Sequence, residues 1–301
     1  MRQVNPQLSI IIPSYNTKEL LEQCLASVYR QTKRVSFEVI VVDNGSRDGS
    51  PALVKEAFPQ AKLVKVKENL GFGKANNLGA AKAEGDWLLF LNSDTQIIFG
   101  AIDKLADRAR NSGNMMVWGP KLLNRDGSLQ PSAGYFPTLG RIAAQMLFLD
   151  DLPILGKLMK PYQQTAPGFY KREQAVDWVT GAALLVHRLL YKKVKGFDEH
   201  YFMYAEEVDL CFRLKKAGAR VYFTPQGQLT HLKGASSQDG FTAAIVGEYR
   251  GLVSFFARHR PGWQLPLVKF VLRWGALLRL VVFGIINREK TDAYKQALNI
   301  L

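Results

Sequence analysis

At 301 residues, with 47% hydrophobic and 22% charged residues, the chain can bury a large core, as one elaborated α/β domain or as two closely joined halves. Forty Lys and Arg against 26 Asp and Glu leave a net charge of +14, which points to an anionic partner: nucleic acid, a phosphorylated substrate or an acidic membrane surface. Two cysteines are too few for a disulfide-stapled fold. Cys24 and Cys211 both fall in apolar helical patterns and read as small buried hydrophobes, which fits a reducing cytoplasm. Met1–Ser9 lack the apolar segment of a secretory signal, so none is expected.

Leu8–Ile12 predicts a short strand, ended by Pro13-Ser14-Tyr15-Asn16. Asn16 and Glu19 have capping-box spacing, and Leu20, Leu21, Cys24, Leu25 and Val28 share one helical face. Phe37–Val42 predicts a second strand, ending in Asp43-Asn44-Gly45-Ser46, and a helix and a weaker strand at Lys62–Val66 follow. This β-α-β-α-β rhythm predicts a parallel, doubly wound sheet.

Asn69–Gly79 is a glycine-rich turn opening a helix, suited to close backbone approach and to phosphate at the helix N-terminus. A dinucleotide fingerprint is the rival reading. Against it, Asn76 stands at the third glycine position, and the turn after the first strand, Pro-Ser-Tyr-Asn, has no glycine.

Asp86–Thr95 organises the chain. Trp87–Leu91 is apolar throughout, as in a strand buried on both faces of a parallel sheet, and it stops at Asn92-Ser93-Asp94-Thr95. Ligands bind beyond the carboxyl ends of such strands, and a carboxylate among amide and hydroxyl oxygens can hold a divalent cation with its phosphates. An Asx-turn closing a core strand is the other reading.

A helix is predicted at Gly100–Arg110 and a strand at Met115–Trp118. From Asn124 to Ala175, five prolines punctuate an elaborated acceptor-side region with one apolar helix near Ile142–Leu149. Trp178–Val186 reads as one strand whose Gly181-Ala182 pair permits close backbone approach. Glu206, Glu207 and Asp209 crowd a helix start. The macrodipole favours acids there, but three in four residues exceed what a cap requires and point to a site. Val221–Thr224 predicts the last strand, with His231 in a glycine-rich loop after it.

In this order the motifs Ile-Ile-Pro-Ser-Tyr-Asn (11–16), Val-Val-Asp-Asn-Gly-Ser (41–46), Gly-Phe-Gly-Lys-Ala-Asn-Asn (71–77), Leu-Asn-Ser-Asp-Thr (91–95), Trp-Val-Thr-Gly-Ala (178–182) and Gly-Phe-Asp-Glu with Glu-Glu-Val-Asp-Leu (196–210) resemble a family 2 glycosyltransferase of the GT-A fold, in the bacterial rhamnosyltransferase-like group. The resemblance covers residues 8 to about 238. It implies an α/β GT-A domain at 1–238, with a nucleotide-sugar half at 1–120 and an acceptor and catalytic half at 121–238. Residues 239–301 would form a helical, membrane-surface region.

The resemblance also assigns roles. Pro13, Tyr15, Asn16, Asp43, Asn44, Gly45, Asn76 and Ser93 would bind the nucleotide, Asp43 accepting from the imide N–H of the base. Asp94 matches the last acid of the family's metal motif, whose first acid is Asn92 here, and His231 matches the histidine that completes it for Mg²⁺ or Mn²⁺. Trp178, Gly181 and Ala182 would line the sugar and acceptor cleft. The catalytic pair is Glu206-Glu207 where relatives carry Glu-Asp, and Glu207 would take the acceptor proton in one inverting displacement. The implied donor is a dTDP-, UDP- or GDP-linked sugar, with rhamnose the first candidate, and the implied acceptor a glycan or polyprenyl-linked saccharide of cell-surface polysaccharide synthesis. A catalytically silent nucleotide-sugar binder of the same fold is the alternative, and a homodimer is a further partner the resemblance allows. Nucleic acid is excluded, since no aromatic and basic reading surface is present.

Phe241–Arg258 predicts a helix, broken at Pro261-Gly262. Trp263–Ile286 is long enough to span a bilayer, but Lys269, Arg273 and Arg279 interrupt it. At 100° per residue these three fall within roughly 120°, predicting a basic face opposite an apolar one. Arg258–Leu301 holds eight Lys or Arg against two acids, 6 of the 14 net charges. The expectation is a peripheral helix on the inner face of the plasma membrane; packing of the same helix on the domain or on a second subunit is the other reading.

Overall fold

The computed structural model describes residues 6–150, 160–232, 240–284 and 288–301. The first half alternates strand and helix as its periodicity requires: β1 (Leu8–Ser14), α1 (Lys18–Gln31), β2 (Phe37–Asp43), α2 (Ser50–Ala57), β3 (Lys62–Lys65), α3 (Phe72–Ala81) and β4 (Trp87–Leu91). β5 (Thr95–Ile98), α4 (Ala101–Ser112) and β6 (Met116–Leu123) lead to the short strands β7 (Leu129–Gln130) and β8 (Ala133–Gly134) and to α5 (Leu139–Met146). Then come β9 (Gln174–Val176), β10 (Trp178–Val179), β11 (Ala183–His187), α6 (Arg188–Lys193), α7 (Glu206–Lys216) and β12 (Arg220–His231). The helices α8 (Gly240–His259), α9 (Gln264–Gly284) and α10 (Arg288–Leu298) follow.

The main sheet runs β3-β2-β1-β4-β11-β6-β12-β5. β3, β2, β1 and β4 are parallel, and β11 enters antiparallel between β4 and β6. Period 2 sorts the core: Ile10 and Ile12 pack with Leu21, Leu25 and Leu105 on one face, while Ile11 packs with Ala75 and Phe90 on the other. Parallel β1, β2 and β4 bring residues 13–17, 43–46 and 92–95 to one edge of the sheet, the carboxyl edge at which open α/β sheets bind ligands.

Four expectations change. Asn16 does not cap α1; Thr17 is the N-cap, and Asn16, at φ 52°, accepts from Arg47 N–H instead. Trp178–Val186 is two strands: β10 pairs β8 in a separate two-stranded sheet and β11 joins the main sheet, because Thr180–Ala182 turns between them. The last strand is not four residues but reaches His231, paired along β6 and β5, so His231 ends a strand; the glycine-rich stretch after it, 233–239, lies outside the described residues. Arg279 does not share a basic face with Lys269 and Arg273. It is buried, donating to the Met146 and Gln145 carbonyls that end α5 and lying 4.3 Å from the Phe148 ring centre. Two carbonyls at the end of a helix and an aromatic face satisfy a guanidinium that the helical wheel alone would leave in water. Both cysteines are free and buried, and burial pushes each thiol up to about 12.

Candidate active site

At the carboxyl end of β2, Asp43 is buried and its Oδ1 has no partner; burial raises its pKa against the pull of the Ser46 hydroxyl and N–H. It opens on a cavity of about 350 Å³ lined also by Gly45, Arg47, Lys65 and Lys67, so an orphaned acceptor faces a basic recess. Asn16 N–H donates to Ser46 Oγ at 3.0 Å, closing one side, and Tyr15 is exposed beside it. Gly45, at φ 85°, is required: a Cβ there would stand 2.9 Å from the Glu68 backbone. Asn44 faces inward, its Oδ1 accepting from Leu70 N–H and its Nδ2 donating to Asn69 Oδ1, which holds the glycine-rich turn. Asn76 is fully buried and donates to the Phe72 carbonyl while its Oδ1 has no donor. Ser93 Oγ meets Thr17 Oγ1 at 3.0 Å, and Pro13 lies half-buried within β1.

Beyond β4, buried Asp94 Oδ1 lies 3.2 Å from His231 Nε2 without forming a hydrogen bond, and Asn92 Oδ1 is likewise buried and unpartnered. Gln130 settles the imidazole. Its amide nitrogen donates to Asn124 Oδ1 and the His231 carbonyl, so its Oε1 is left to accept from Nδ1–H at 2.6 Å. With Nδ1 held there, Nε2 is the ring nitrogen turned toward the Asp94 carboxylate, with Asn92 Nδ2 at 3.3 Å. Such a pair fits a divalent cation, with Gln130 in the outer role that fixes a ligating histidine. Among the described residues no third His, Cys, Asp or Glu joins them.

The acid pair opens α7 from a strained turn. Tyr204 and Ala205 have φ 73° and 67°, rare for side-chain-bearing residues. α8 receives the turn in a notch: a Cβ on Gly247 would stand 2.1 Å from the Tyr204 ring, and one on Gly251 2.6 Å from Ala205 Cβ. Glu206 is buried, Oε2 unpartnered, and its pKa is raised well above the carboxylate range by burial and by Glu207. Burial also raises half-buried Glu207, against the Gly181 N–H that bonds its carboxylate. Both carboxyls are shifted toward the protonated form, the deeper Glu206 the more strongly. Tyr204 feels Glu206, Glu207, Asp94 and Glu248, which places the metal-side acid and the pair in one neighbourhood. Behind the pair, fully buried Asp209 binds Arg213 and the His259 Nε2 that ends α8, both at 2.6 Å.

Gly181 and Ala182 bridge the two clusters: the Ala182 carbonyl accepts from Asn92 N–H, and a Cβ on Gly181 would stand 3.1 Å from the Phe72 ring and 3.6 Å from Glu207 Cβ. Trp178 is 5% exposed, its indole N–H donating to the Tyr162 carbonyl and its ring against Gly134, so it is buried away from a cleft. Gln130 and Glu248 were not anticipated, since an amide in a two-residue strand and an acid on a distant helix carry no spacing signal.

A doubly wound half with a basic recess around a buried carboxylate, and an acid pair opening α7, are the features of a glycosyltransferase of the GT-A fold. Residues 9–167 match the profile described as glycosyl transferase family 2. The N-acetylglucosaminyl-diphospho-decaprenol L-rhamnosyltransferase of Mycobacterium tuberculosis is 32% identical over 96% of this chain and 97% of its own length. Rhamnosyltransferase WbbL of Escherichia coli K12 is 28% identical over 83% of this chain and 93% of its own. Among solved structures, mannosyltransferase PcManGT from Pyrobaculum calidifontis in complex with GDP-Man and Mn²⁺ superposes with a TM-score of 0.56 at 18% identity, over 99% of this chain and 86% of that one. The chain belongs to glycosyl transferase family 2.

Proposed function

We propose that this glycosyltransferase moves rhamnose from a nucleotide diphosphate to a hydroxyl of a polyprenyl-diphosphate-linked N-acetylglucosamine, with inversion, at the inner face of the plasma membrane. The near full-length similarity to a rhamnosyltransferase of that acceptor supports the substrate pair. The observation that carries the chemistry is the acid pair that opens α7, Glu206 buried and Glu207 more open beside the Gly181 turn. Glu207 takes the proton of the acceptor hydroxyl as that oxygen attacks the anomeric carbon and the carbon–oxygen bond to the diphosphate breaks. Glu206, holding its own proton, limits the negative charge crowded around the base.

Asp43 accepts from the imide N–H of a uracil or thymine, and Arg47, Lys65 and Lys67 meet the donor's negative charge. Asp94, His231 and Asn92 would hold a divalent cation, Mg²⁺ or Mn²⁺, which offsets the charge of the departing diphosphate. Asn76 supports the donor turn from inside. A thermal-shift series of dTDP, UDP and GDP with and without Mn²⁺ tests the reading: stabilisation by dTDP or UDP that needs Mn²⁺ and is lost in Asp43→Asn is expected. Equal stabilisation of Asp43→Asn would remove Asp43 from base recognition.

A further inference from the structure

α9 is apolar on two opposite sides. Val268, Leu272, Gly275 and Ala276 are buried with Arg279 on the side facing this chain, and Gly275 admits Met146 of α5 at a distance no Cβ would allow. On the outward side Leu267, Phe270, Trp274, Leu277 and Val281, with Trp263 in the turn just before the helix, stand exposed, from 42% to 69%. At 100° per residue the five on the helix fall within about 80°, a continuous strip the length of the helix. Soluble proteins rarely expose so many large apolar groups together. Lys269 and exposed Arg273 lie along one edge of the strip. No helix among the described residues is long and apolar enough to cross a bilayer, and the buried Arg279 clamps α9 to the end of α5.

We propose that the outward face of α9 inserts sideways into the interfacial layer of an anionic bilayer, with Lys269 and Arg273 on the headgroup phosphates. Trp side chains suit that layer, where one end of the ring is apolar and the other wet. Charge complementarity selects this occupant over a second copy of the chain. Two copies joined antiparallel at this strip would bring their own Lys269 and Arg273 together, and joined in parallel would leave both basic edges without an opposite charge. An anionic leaflet meets them with one. The inserted face stands on α9 alone, whatever sugar the site transfers.

The chain carries its own reporter. Trp87, Trp118 and Trp178 are buried, so Trp263 and Trp274 are the two of its five tryptophans that meet solvent. With full-length protein and phosphatidylglycerol-containing vesicles at low salt, tryptophan emission is expected to shift to the blue and to be quenched by brominated acyl chains. High salt should weaken association. The double variant Phe270→Glu, Leu277→Glu, folded by circular dichroism, should lose the shift. Unchanged emission on these vesicles, quenching retained by the double variant, or equal salt-insensitive binding to purely zwitterionic vesicles would overturn the proposal. A blue shift that grows with protein concentration in the absence of lipid would assign the strip to a second copy instead.

Discussion

Gly251→Ala should cripple turnover far more than it weakens the fold. A Cβ at this position of α8 would lie 2.6 Å from Ala205 Cβ and 2.8 Å from the Tyr204 carbonyl oxygen. Carbon atoms in contact sit about 3.5–4.0 Å apart, so helix and turn must separate by about 1 Å. The turn has little room to adapt, since Tyr204 and Ala205 both hold left-handed backbone that costs roughly 1–2 kcal/mol per residue. Overpacking of this kind costs about 1–3 kcal/mol, and the helical preference of Ala over Gly returns about 1 kcal/mol, leaving a net loss of roughly 0–2 kcal/mol. Glu206 and Glu207 follow the turn directly, and a 1 Å misplacement of reacting groups lowers rate by about 10²-fold. Steady-state kinetics with urea melts would read both quantities, with nucleotide affinity unchanged because Asp43 belongs to a different strand. Gly140→Ala in α5, where a Cβ meets nothing, is the control and should stabilise slightly at full activity. A folded Gly251→Ala enzyme with the parent's kcat would refute the link between α8 and the acid pair.

Further outcomes follow from the same geometry. Asp94→Ala should remove metal-dependent nucleotide binding while the fold survives, and full turnover of that variant in EDTA would contradict it. Gln130→Leu frees the His231 ring and should weaken Mn²⁺ binding by about 10–100-fold, measured by titration calorimetry with nucleotide present. Glu206 keeps in the folded state a proton that the unfolded chain releases, so its contribution to stability falls as pH rises above the ordinary glutamate range, by about 1.4 kcal/mol per pH unit until the raised pKa is reached. Glu206→Gln removes that slope; urea melts from pH 5 to 8 should show the variant gaining on the parent, and parallel curves would count against a buried protonated acid.

The first half of the fold was legible because its signals are local. Five apolar residues ending at Asn92-Ser93-Asp94 announce a buried parallel strand, and β4 is buried along its whole length beside β1. What escaped depends on partners distant in sequence. Gly247 and Gly251 look like defects in a helix until the Tyr204–Ala205 turn is seen against them. Gln130 gains meaning when β12 carries His231 past it, and β12 runs on because β6 and β5 both pair with it. Asn16 has the sequence of a cap, yet its side chain is claimed by the loop after β2. Arg279 marks the limit of a helical wheel, which counts cations without knowing that the end of α5 offers them carbonyls.

The most direct test is sugar transfer itself by the full-length chain and its Glu207→Gln variant, followed with dTDP-rhamnose and a short polyprenyl-diphosphate N-acetylglucosamine in Mn²⁺. The parent should form a disaccharide of inverted anomeric configuration. Glu207→Gln should bind dTDP as tightly but turn over about 10² to 10⁴-fold more slowly, the contribution of a positioned base. Undiminished transfer by Glu207→Gln, or a product that retains the donor's configuration, would contradict direct displacement assisted by Glu207.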